Sequence, residues 1–86
     1  MRSFTMDIGL TDRPTTVEVT VTREPNAVHY RIWPKDKQLQ RRFGAQVCHQ
    51  FTGKPVEAEY PEDKEARYFA TVIEERLNGY NQMHLS

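Results

Sequence analysis

His29, Cys48, His49 and His84 are the only imidazole and thiol side chains in the chain, and with them the only soft metal ligands. Cys48 and His49 are adjacent, so on a strand they point to opposite faces and cannot share an ion. A site drawing His29 and Cys48 from one face still lacks two of the four ligands a closed zinc site needs. Cys48 as a nucleophile requires a neighbouring base and a lowered pKa. His29 is its nearest candidate base across the strands, yet no third group orients the pair. Carboxylates crowd residues 57–65, where they suit the first turn of a helix rather than acid–base chemistry. The sequence therefore predicts no catalytic residue, no metal and no cofactor. His49 is read as bordering the core and His29 as a surface histidine.

Larger motifs point the same way. The glycines at 9, 44, 53 and 79 are scattered at turn positions, with no phosphate-loop or dinucleotide spacing. HExxH, G-x-S-x-G and paired-cysteine patterns are absent. The expectation is a chain that is not an enzyme.

The elements that must carry these residues follow from periodicity. Phe4, Met6 and Ile8 alternate with polar neighbours, as in a half-buried strand. Gly9 to Pro14 is turn chemistry. Thr15 to Arg23 sets Val17, Val19 and Val21 against Thr16, Glu18, Thr20 and Thr22, a β-branched pattern suited to a pleated surface. Glu24-Pro25-Asn26-Ala27 turns the chain into a third strand, Ala27 to Trp33, which Pro34 ends. Asp36 as N-cap, Leu39 and Phe43 at i,i+4, and Gly44 at C′ predict one or two helical turns. Ala45, Val47, His49 and Phe51 alternate with Gln46, Cys48 and Gln50, a fourth strand with its apolar members assigned to the core. Pro55 to Glu59 offers a short edge strand. Ala66, Phe69, Ala70, Ile73 and Leu77 form one stripe of a helix from Pro61 to Asn78, with Gly79 as its C′ residue.

The predicted fold is therefore α+β. It is an antiparallel sheet of four strands, or five with the edge segment, with a C-terminal helix on one face and a helical turn between strands three and four. One domain spans 1–80, and 81–86 form a frayed tail. Eighty-six residues with 37% hydrophobic content suit one small core, and pairing with a second copy is one way to stabilise it.

The face turned away from the helix holds the binding candidates. Alternation places His29, Arg31 and Trp33 there, with Lys35, Arg41 and Arg42 nearby; residues 31–54 carry six basic side chains and one acidic, a local +5. Aromatic and arginine side chains on an open surface are what protein hot spots use. They also serve single-stranded nucleic acid, although the RNP-type aromatic signature is missing. The expected function is a small, soluble, non-enzymatic binding or accessory module. It would contact a protein partner or a second copy through the open face or an edge strand, with single-stranded nucleic-acid binding through residues 31–54 as the alternative.

Net charge is zero, with +4 over residues 1–56 balanced by −4 over 57–86. No overall basic footprint favours duplex DNA. A single cysteine excludes an intrachain disulfide, and MRSFTMDIGL lacks the apolar core of a signal peptide. No stretch is apolar enough for a membrane span. The expected setting is the cytoplasm.

Overall fold

The computed structural model describes residues 2–9 and 14–85, the side chains of 80–85 excepted. The turn expected over Gly9 to Pro14 thus lies largely outside the described residues, as do the His84 side chain and Ser86.

Five strands and two helices follow in the order β1 (Arg2–Gly9), β2 (Pro14–Glu24), β3 (Ala27–Pro34), α1 (Lys37–Phe43), β4 (Gln46–Phe51), β5 (Glu57–Ala58) and α2 (Lys64–Leu85). The strands make one antiparallel sheet in sequence order, β1-β2-β3-β4-β5. This is the predicted α+β class, with the edge segment paired as a fifth strand. The longest valine alternation makes the spine. Val17, Val19 and Val21 stand opposite Pro34, Ile32 and Tyr30 on one side and Met6, Phe4 and Arg2 on the other.

Both helices lie on one face. Ala66, Phe69, Ala70, Ile73 and Leu77 are all buried, and they enclose Met6, Ile8, the three valines, Tyr30 and Ile32 between helix and sheet. Burying a large apolar side chain contributes roughly 1.5–3 kcal/mol, so this stripe is what holds α2 to the sheet. Asp36 caps α1 as expected, its Oδ1 accepting from the Gln38 and Leu39 amides at 2.8 and 3.3 Å. Gly44 closes it at φ 63°, a left-handed backbone that glycine adopts without a Cβ clash. Phe43 then stacks on Phe69 with ring centroids 5.0 Å apart, which joins α1 to α2.

Three expectations are corrected. α2 begins at Lys64 rather than Pro61, because Asp63 caps it by accepting from the Ala66 amide at 3.0 Å. Gly79 does not end it, and helical backbone continues to Leu85 through residues expected as a tail. β4 is turned over: Gln46 and Cys48 are buried beneath the helices, while Phe51 is 53% exposed and Val47 faces the other side. Pairing with β3 decides this. Tyr30 and Ile32 face the core, so their partners Cys48 and Gln46 must too. The apolar volume assigned to Val47 and Phe51 comes instead from Val56, 1% exposed, and Ala58 of β5.

Candidate functional site

Since α1 and α2 cover one face, the strand residues of opposite parity are left uncovered. Thr16, Glu18, Thr20 and Thr22 come from β2, and His29, Arg31 and Trp33 from β3. The reversal of β4 adds Val47, His49 and Phe51 in place of Gln46, Cys48 and Gln50. Trp33 stands opposite Glu18 and is 40% exposed. With Thr20 and Arg31 these two line a shallow depression of about 270 Å³.

The candidate residues are not all brought together. His29, Arg31 and Trp33 share the open face, and Lys35 follows just beyond β3, its amide donating to the Thr16 carbonyl at 3.0 Å. Arg41 and Arg42 sit on α1, which packs on the helix side. Arg42 is ion-paired with Glu65 near the start of α2 and its guanidinium lies over the Phe43 ring. The basic segment of the sequence is therefore split between the two faces. Among the described residues, Asp7, Glu18, Glu24, Glu57 and Glu59 stand on the open face against Arg31 and Lys35, five acidic groups to two basic. The described part of the open face is therefore acidic.

Comparison with known proteins adds nothing to this geometry. No family model, curated protein or solved structure matches the chain.

A feature that the sequence did not suggest crosses the same face. His29 lies directly opposite His49 in the β3–β4 ladder, rather than opposite Cys48. Their Nδ1 atoms are 3.0 Å apart, with the rings edge to face at 88°. The Nε2 of His29 meets Glu24 Oε2 at 3.2 Å, and the Nε2 of His49 meets Glu59 Oε1 at 2.8 Å. The result is a continuous row, Glu24–His29–His49–Glu59, spanning four strands' width of the surface. Only the register reveals it, since twenty residues separate the two histidines in sequence.

Cys48, by contrast, is fully enclosed under the helices. Burial, followed by the charges of Glu74 and Glu59, pushes its thiol up to about 12 from an ordinary 9.0. A thiol so held stays protonated at neutral pH, the opposite of what a nucleophile needs. On the helix side a second polar group ties β5 down. Glu74 Oε2 accepts from the Ala58 amide at 2.8 Å and the Tyr60 hydroxyl at 2.6 Å. Asn78 accepts from the Val56 amide at 2.8 Å and donates to its carbonyl at 3.2 Å. The Glu74 hydrogen bond raises the Tyr60 phenol above its usual pKa. These contacts satisfy the backbone polar groups of the β5 segment and tie it to α2. No helix among the described residues is long and apolar enough to cross a membrane.

Proposed function

We propose that this chain is a non-catalytic binding module that presents the open face of its sheet to a protein partner carrying basic side chains. The observation that carries this reading is the asymmetry of cover. Two helices shield one face, and the other displays the chain's single tryptophan and an exposed phenylalanine among five acidic groups. Tryptophan and arginine anchors with polar surroundings are the composition of an interaction hot spot. An acidic surround selects cationic partners and speeds their encounter. The same charge works against phosphate backbones, whose binding rests on neutralisation by Lys and Arg. Face-to-face pairing of two copies would also set acid against acid.

Self-association is the second reading, and β1 supports it. This edge strand is 8 residues long and contains neither Pro nor Lys, the residues that usually blunt an edge. A concentration-dependent mass by light scattering that Thr5→Pro abolishes is its signature.

Trp33 makes the first reading testable without a label. Titration with Lys/Arg-rich peptides should shift its emission and shield it from acrylamide, an effect weakened by Glu18→Lys and by added salt. A single-stranded oligonucleotide should leave it unchanged. Shielding by the oligonucleotide alone, or by neither probe, overturns the proposal.

A further inference from the structure

We propose that His29 and His49 form a binding site for a divalent transition-metal ion of the zinc, nickel or copper class, built across β3 and β4 on the open face. The proposal does not depend on what docks against that face. It starts from hydrogen-bond accounting. An ionised carboxylate only accepts, so Glu24 and Glu59 each require an N–H on the Nε2 they touch. A neutral imidazole with its proton on Nε2 carries a bare lone pair on Nδ1. Two such lone pairs then face each other at 3.0 Å. That juxtaposition is repulsive unless a positive centre lies between them, either a proton carried by one of the two imidazoles or a metal ion that takes its place.

The outer contacts match what metal-binding histidines use. A ligating histidine almost always donates its second ring N–H to a carboxylate or carbonyl, which fixes the tautomer and raises the basicity of the ligating nitrogen. Here both rings are backed in this way, and both backed rings converge. Zinc–nitrogen bonds of about 2.0–2.1 Å in tetrahedral geometry place the two nitrogens roughly 3.3 Å apart, so the pair needs to open by only a few tenths of an ångström. Glu57, opposite His49 in the ladder, adds negative charge on the same face.

The donor set also defines which ion. Imidazole nitrogen suits zinc, copper and nickel, whereas magnesium and calcium select oxygen. No cluster of three or more His, Cys, Asp or Glu groups suited to a metal gathers among the described residues. The described residues thus supply two nitrogen ligands, and water or a partner's donor completes the shell from the solvent side, where both histidines are part-exposed. Such a site is exchangeable; the fold does not depend on it, unlike a closed structural zinc centre.

Calorimetric titration of the full chain with zinc chloride or nickel chloride tests this, with magnesium chloride as control. One zinc or nickel ion per chain is expected, and none of magnesium. His29→Gln and His49→Gln should each abolish binding with the far-ultraviolet dichroism unchanged, and Glu24→Gln with Glu59→Gln should weaken it about tenfold. His84→Ala should bind as the unaltered chain does. As a measurement independent of any variant, imidazole nitrogen resonances of the unaltered protein should show zinc shifting Nδ1, not Nε2, of residues 29 and 49. Absence of zinc and nickel binding overturns the proposal. So does binding that survives both histidine substitutions, binding lost in His84→Ala, or a metal shift on Nε2.

Discussion

The two faces of the sheet are cut from the same strands by the same alternation, yet they carry different duties. On the covered face, Val17, Val19, Ile32, Phe69, Ile73 and Leu77 have essentially no contact with water. On the open face, among the described residues, stand threonines, acids, Arg31, Trp33, Val47, Phe51 and the histidine pair. Free energy of folding comes from the first, since buried apolar area is the dominant favourable term. The second contributes little to folding and is free to serve recognition. If the division is real, substitutions on the two faces should separate cleanly into those that unfold the chain and those that leave it intact.

The largest effect is expected at the helix–sheet junction. Phe69 is 1% exposed and stacks on Phe43, so Phe69→Ala leaves a cavity that the backbone cannot close. A loss of roughly 3–5 kcal/mol is expected, a large part of the stability of so small a domain. Urea denaturation measures it. A loss below about 1 kcal/mol would mean that α2 is not what the sheet folds against.

Next comes Cys48, whose thiol ionises near 9.0 in the unfolded chain and near 12 in the folded one. Between those values the unfolded state binds fewer protons than the native state. Stability conferred by the neutral thiol is therefore complete below about pH 9 and is lost as pH rises toward about 12, by at most about 1.4 kcal/mol per pH unit. Cys48→Ala should remove that part of the alkaline slope. Identical slopes in the two proteins would place the thiol at the surface, on the open side of β4.

A smaller cost attaches to the start of α2. Asp63→Ala removes the side chain that accepts from the Ala66 amide, with an expected loss of about 1 kcal/mol. Pro61→Ala should be nearly silent, because that residue precedes the helix. The reverse order would restore Pro61 as the first helical position.

Much of this was legible in the chain and some was not, for reasons that particular residues make plain. Val17, Val19 and Val21 leave no choice of inner face, and Ala66 to Leu77 leave none for the helix, so both halves of the core follow from local period. Asp36 and Gly44 announce α1 because capping is local chemistry. In β4 the alternation is nearly balanced, with Cys48 on one side and Val47 and Phe51 on the other. Apolar count favoured the wrong side, and only pairing with Tyr30 and Ile32 breaks the tie. Since one residue of slip exchanges the faces, that single choice also hid the histidine row. The basic run was scattered by a tertiary event: Phe43 docks on Phe69 and carries Arg41 and Arg42 with it to the covered side.

The smallest expected effect is therefore the sharpest test of the two faces. Phe51 is a large apolar residue whose spacing from Val47 suggests a place in the core. In the fold it ends β4 on the open side, opposite Ala27 and 53% exposed. Phe51→Thr exchanges one good strand former for another and removes little buried area, so stability should change by no more than about 0.5 kcal/mol. A core phenylalanine truncated in the same way would cost several times more. The sign of the discrepancy is informative: a loss of 2 kcal/mol or more, as for core truncation, would return β4 to the phase suggested by its apolar residues. His49 would then point beneath the helices, away from His29, and the paired imidazoles would cease to exist along with the metal site inferred from them.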